Sequence, residues 1–133
     1  MWRWADIAFY LLLLLYAVWM RPHSLVSFAA VAVASVAFPL WIVARVQLGS
    51  AFSLRAKAHH LVTTGLYSRI RHPVYFFGTI AGLASVVALQ VWWVLVLALL
   101  LESITVVRAV REERILESVF GEEYRQYRER TWF

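Results

Sequence analysis

Two short stretches of this 133-residue chain carry most of its potentially reactive side chains. The first holds Tyr67, Arg69, Arg71, His72, Pro73 and Tyr75; the second holds Glu112 and Glu113, flanked by Arg111 and Arg114. A carboxylate at the end of an apolar segment, beside a partly dehydrated cavity, binds a cation or a sugar hydroxyl more strongly than it would in bulk water. Plainer readings stand beside this one. Basic residues end a membrane span and reach for headgroups, proline suits the first position of a helix, and acidic residues on a charged helix form local ion pairs. Glu102 is a third candidate, because it falls inside an apolar run, where a charge must face protein or a water-filled cavity. Arg108 or a basic loop residue is its expected partner. His59 and His60 lack the spaced Asp, Glu or His partners of a metal site, so no metal is expected. The absence of cysteine removes disulfides, thiolate metal sites and a cysteine nucleophile.

The elements that must position these residues are membrane helices. The chain is 62% hydrophobic, against roughly 45–50% in soluble domains. Its formal charge of +5 is then read first as membrane topology, and nucleic acid is not expected as a partner. Leu25 to Ala44 is uncharged and about as long as the ~20 residues that cross a bilayer core, with Pro39 expected to kink it. Ile7 to Met20 is shorter, and Trp2, Trp4 and Trp19 lengthen it as interface anchors. Arg3 also suits the start of a signal peptide, but no A-x-A-like site follows Met20, which favours an anchor. Pro73 to Val107 as one helix would be about 52 Å long, so it must double back near Leu89, Gln90 and Val91. Arg55, Lys57, Arg69 and Arg71 precede that run and Arg108, Arg111 and Arg114 follow it; the positive-inside rule puts both flanks on one side.

These readings predict an all-α integral membrane helical bundle of about four transmembrane helices, near 4–20, 24–45, 73–89 and 91–109, in a single domain over 1–133. Both termini are expected to be cytoplasmic, and of the thirteen Lys and Arg Arg21 alone falls on the far side. Gly78 and Gly82 form a GxxxG pair suited to close packing. The cytoplasmic pieces are 46–72 and 108–133. The second has apolar residues at helical spacing, Val107, Val110, Leu116, Val119, Phe120, Tyr124 and Tyr127, and so predicts a C-terminal amphipathic helix lying on the membrane or covering a pocket. Gly121 is expected to end one helix, with Glu122 and Glu123 in the first turn of the next.

Taken together, "LVTTGLYSRIRHPVY" and, beyond the hydrophobic hairpin, "EERILESVFGEEYRQY" resemble the isoprenylcysteine carboxyl methyltransferases and the related phospholipid methyltransferases. That family's pattern is approximately LVTxGxYxxxRHPxYxG, two spans, then EExxLxxxFGxEYxxY. The resemblance covers residues 61–127 and extends weakly into "LGSAFSLR". It implies an integral membrane enzyme that binds S-adenosylmethionine on the cytoplasmic side, releases S-adenosylhomocysteine, and lacks a Rossmann fold. By position it implies that Tyr67, His72, Pro73 and Tyr75 help form the cofactor site, that Glu112 and Glu113 are its acidic wall, and that Leu116, Phe120, Tyr124 and Tyr127 pack or cap it. A sulfonium suits carboxylates and aromatic faces, and the cofactor's own carboxylate suits Arg or protonated His.

The implied reaction is methyl transfer to a lipophilic acceptor that enters from the bilayer, a membrane lipid or a prenylated molecule. His72 or Glu113 would take a proton from an amine acceptor, whereas a carboxylate acceptor needs no base. Arg71, or Arg128 and Arg130, would anchor an anionic one. Phe77 departs from the pattern, standing where the family has glycine; the glycine here is Gly78. Two rivals remain: an NADPH-dependent integral sterol reductase, whose motifs have Asn at the place of Val74 and Trp at that of Tyr124, and a non-catalytic membrane protein.

Overall fold

The computed structural model describes residues 5–20, 24–49 and 61–132. Trp2, Trp4, Arg3, Arg21, Arg55, Lys57, His59 and His60, to which the sequence assigned anchoring, topological or ligand roles, lie outside the described residues. Helix α1 is Ala5–Trp19, α2 Leu25–Leu48, α3 Pro73–Leu89, α4 Trp92–Phe120 and α5 Glu122–Arg130, with a 3-10 turn at Gly65–Ser68 before α3. Every regular element among the described residues is helical. By length and composition α2 and α4 are able to cross a membrane; the apolar stretches of α1 and α3 are shorter.

Small residues line the contacts between helices and large ones face outward. On α2 the buried positions are Ser27, Ala30, Ala34, Ala37, Phe38, Trp41 and Ala44, a repeat of three and four that forms one stripe. They pack on α3, whose buried positions include Ala81, Gly82, Ser85, Val86 and Ala88. Val26, Phe28, Val33, Val36 and Val43 stay exposed. In lipid there is no hydrophobic force between helices, so close backbone approach through small side chains supplies the attraction instead. The Gly78 and Gly82 pair serves this packing, with aromatic rings as neighbours. A Cβ on Gly78 would lie 3.0 Å from the Trp41 indole nitrogen, and one on Gly82 3.1 Å from the Tyr10 ring.

The two ends of the bundle are fastened differently. At one end Ser24 caps α2 by accepting from Ser27 N–H (3.1 Å), Ser27 Oγ donates to the buried Ala88 carbonyl (2.7 Å), and the Gln90 amide reaches Ser24 Oγ (2.7 Å). Gln90 reverses the chain between α3 and α4 in the left-handed region (φ 57°), a conformation uncommon outside glycine and fixed here by that amide. At the other end α2 runs on through Pro39 to Leu48, three residues past the expected limit. Gln47 Oε1 thereby accepts from Leu66 N–H (2.8 Å). Gly65, at φ +63°, lies directly over the Gln47 side chain; a Cβ there would meet both strain and a clash.

Helix α4 runs past residue 109, where the expected span ended, into the charged segment beyond. It continues unbroken for 29 residues, about 43 Å, because Arg and Glu beyond an apolar stretch are good helix formers and nothing between 108 and 120 breaks the helix. Gly121 then separates it from α5, with Glu122 and Glu123 in the first turn of α5 and Arg128 and Arg130 in the last. Each sign complements the helix dipole.

Candidate functional site

His72 is the residue before α3, and its side chain makes no capping bond; Pro73 follows at the first helical position, where its missing N–H is not needed. The imidazole is therefore free to point at α4. His72 Nε2 lies 3.2 Å from Glu113 Oε1, and His72 Nδ1 lies 4.0 Å from Glu112 Oε2. Arg71 Nη1 reaches the same Glu113 oxygen at 3.1 Å. The two polar stretches, 41 residues apart in sequence, thus meet at one carboxylate. Arg71 is tied to Glu113 as well as being available to an anion. Side chains of Arg71, His72 and Glu113 are 18, 16 and 29% exposed, enough shielding to strengthen these contacts beyond those of a surface pair.

Aromatic residues surround this group. The His72 and Tyr75 rings lie 5.7 Å apart, and Tyr75 is within hydrogen-bonding reach of Glu112. Tyr67, Tyr124 and Tyr127 are buried, and so is Pro73. Burial, then the nearby Glu112 carboxylate, holds the Tyr67 phenol far above its ordinary range. Burial also pushes Tyr124 up to about 12, with the Glu113 charge adding to it, and raises Tyr127 to about 12, with Tyr124 beside it. At neutral pH all three are hydrogen-bond donors and none is a base.

Helix α5 closes over the loop before α3. Tyr127 Oη donates to the Tyr67 carbonyl (2.7 Å), and Trp132 N–H donates to the Arg69 carbonyl (2.9 Å). Leu116 and Phe120 are half-buried on the last turns of α4. Arg128 and Arg130 are exposed, and Arg128 Nη1 lies 4.0 Å from Glu117. The buried hydroxyl of Tyr124, a residue 1% exposed, and the buried Arg71 Nε have no hydrogen-bond partner among the described residues.

Glu102 does find a partner, though not the arginine expected from sequence. Thr79 Oγ donates to Glu102 Oε2 at 2.6 Å. Sequence reasoning also missed Gln47, whose one trace was a lone amide in the last turn of an apolar helix, and the Trp132–Arg69 backbone bond, which leaves no trace in side-chain pattern. Among the described residues no three His, Cys, Asp or Glu side chains form a metal-holding group.

The model of the phospholipid methyltransferase family matches residues 25–123, a region containing both halves of the polar cluster. The chain belongs to the phospholipid methyltransferase family. It is also 39% identical, over 99 residues, to the protein-S-isoprenylcysteine O-methyltransferase of Schizosaccharomyces pombe. That alignment takes in 66% of this chain and 40% of the yeast protein, so the chain spans about two fifths of the relative's length. No solved structure matches it. The family match ends at residue 123, so Tyr124 and Tyr127 stand just past it, both buried and Tyr127 bonded to the Tyr67 carbonyl.

Proposed function

We propose that the chain is a single-domain integral membrane methyltransferase that uses S-adenosylmethionine to methylate a lipophilic acceptor at the cytoplasmic face. In this reading α1 to α4 span the bilayer and α5 lies at its surface. Arg69, Arg71, Arg108, Arg111 and Arg114 gather at the end of the bundle that holds the cluster, the end which the positive-inside rule assigns to the cytoplasm. The observation that carries the reading is the convergence of Arg71 and His72 on Glu113.

The residues present suit this cofactor. The buried Tyr124 hydroxyl and Arg71 Nε lack hydrogen-bond partners among the described residues and are donors available to a carboxylate or a sugar oxygen. Glu112, half-exposed, and the Tyr75 ring suit a positively charged sulfonium. When bound, S-adenosylmethionine supplies an electrophilic methyl group for in-line displacement. The chain's own task is then alignment and exclusion of water. Tyr67, Pro73 and Tyr127 wall off the loop side, Leu116 the side of α4. Glu113 fixes the His72 ring through Nε2, leaving Nδ1, which faces Glu112, as the ring atom that takes a proton from an amine acceptor; a carboxylate acceptor requires none. Tyr124 in place of tryptophan and Val74 in place of asparagine weigh against NADPH.

Titration calorimetry of the detergent-solubilised chain tests this directly. Wild type is expected to bind S-adenosylmethionine and S-adenosylhomocysteine and not NADPH. Glu113→Ala and His72→Ala should each weaken binding by about ten-fold or more, the scale of one charge-assisted hydrogen bond. Binding of NADPH alone, or of none of the three by folded protein, would overturn the proposal.

A further inference from the structure

The strap before α3, residues 64–72, carries Arg71 and His72 to Glu113, and its place on the bundle decides whether they arrive. Among the described residues its backbone is tied to other elements at three points. Two ties come from the α5 side: Tyr67 O accepts from Tyr127 Oη and Arg69 O from Trp132 N–H. The third comes from inside the bundle. Leu66 N–H donates to Gln47 Oε1 in the last turn of α2 (2.8 Å), and α2 is the helix packed most extensively against α3.

Leu66 is also the node of the strap itself. Its carbonyl accepts from Arg69 N–H (3.3 Å) and Ile70 N–H (3.1 Å), so one residue links Gln47 to the position just before Arg71. Gly65 brings the strap down onto the same amide. At φ +63° it lies so close that an added Cβ would overlap Nε2, Cδ and Oε1 of Gln47; the left-handed backbone and the missing Cβ together permit that approach. Closing α2 does not account for Gln47, because Gly49 N–H already donates to the Arg45 carbonyl there. Apolar packing does not account for it either, since a methionine would fill the place without a polar group to satisfy.

We infer that Gln47 is a positioning residue: by accepting from Leu66 N–H it sets where the strap lies on α2, and so aims Arg71 Nη1 and His72 Nε2 at Glu113 Oε1. This rests on the methyl-transfer reading for the task of that cluster, and on the strap's own bonds for its aim. The two contacts with Glu113 are 3.1 and 3.2 Å long, and contacts of this kind fail within about an ångström of displacement. In a site whose work is alignment, a shift of that size costs more than the one bond removed.

The test uses the full chain in detergent micelles with nitrogen-labelled histidine, followed by NMR and titration calorimetry. Gln47→Met keeps the length and removes the acceptor; Gln47→Glu keeps an acceptor oxygen. The His72 ring signals are assigned by their loss in His72→Ala, and Glu113→Ala marks where they fall once the carboxylate is gone. Gln47→Met is expected to move them toward that position and to weaken S-adenosylmethionine binding about five-fold, the scale of one net hydrogen bond. Gln47→Glu should keep the wild-type signals and bind within about two-fold of wild type. Wild-type ring signals in Gln47→Met overturn the inference, and a lower Tm beside them would assign Gln47 to packing. Equal losses in both variants overturn it too, because the acceptor would then not matter. So does unchanged affinity beside a moved ring signal, which would separate the strap from cofactor binding. Failure of wild type to bind adenosylmethionine would count against the methyl-transfer reading, while the ring signals would still decide whether Gln47 aims His72.

Discussion

Glu113 Oε1 is shared by Arg71 Nη1 at 3.1 Å and His72 Nε2 at 3.2 Å, and around it stand phenols that burial keeps protonated. This has a consequence for stability against pH. Tyr124 and Tyr127 ionise at about 12 in the folded chain, against an ordinary value of 10.0. Because the folded pKa lies above the unfolded one, the contribution is fully present below pH 10 and is lost as pH rises toward 12, where the unfolded chain releases protons that the folded one retains. Unfolding followed by circular dichroism should therefore show no loss attributable to these phenols up to about pH 10 and a falling midpoint above it. Tyr124→Phe, which removes a hydroxyl with no partner among the described residues, should flatten that fall. A midpoint indifferent to pH between 10 and 12 would contradict the burial of these phenols. At this scale the sequence was informative about identity: Arg71, His72, Glu112 and Glu113 were named together through the family resemblance of two motifs, and their side chains do meet. The partners of Glu102 and Leu66 were not, because a single threonine or glutamine contact across 23 or 19 residues leaves no periodic signal.

Among the elements, α5 is attached to the rest by few bonds, and two of them reach the loop before α3, Tyr127 Oη to Tyr67 O and Trp132 N to Arg69 O. Tyr127→Phe keeps the ring and removes one, a loss of about 1 kcal/mol. Hydrogen exchange should accelerate in α5 and at residues 66–70 by about five-fold, with α2 and α3 unchanged; acceleration throughout the bundle, or none in α5, would contradict the clasp. The helix boundaries legible in the sequence were those marked by backbone chemistry: Pro73 opening α3, Gly121 dividing α4 from α5. The expected end of a span near 109 came from the change in hydropathy, and α4 runs through that change as one helix. The reversal at Gln90 carried no glycine or proline; charge placement on the two flanks called for it, and the amide contact to Ser24 explains how a non-glycine residue holds that turn.

The whole molecule inverts the size rule of a soluble core, with alanines and glycines between helices and leucines and valines outside. That inversion fits a bilayer, and with the arginines at one end it predicts a single orientation. The chain has no cysteine, so single-cysteine variants report topology without background. In right-side-out vesicles an impermeant maleimide should label Gln90→Cys and spare Ser118→Cys, and inverted vesicles should exchange the two; labelling of both from one side would contradict the proposed four-span topology. The bundle's central claim remains that Arg71 and His72, at the start of α3, and Glu113, late on α4, act together on one adenosyl cofactor. A double-mutant cycle on S-adenosylmethionine affinity tests it most directly, using His72→Ala, Glu113→Ala and the pair. Residues that share a network are non-additive, so the double variant should bind scarcely more weakly than the worse single one. Losses that simply multiply, or single variants that bind like wild type, would contradict a shared site.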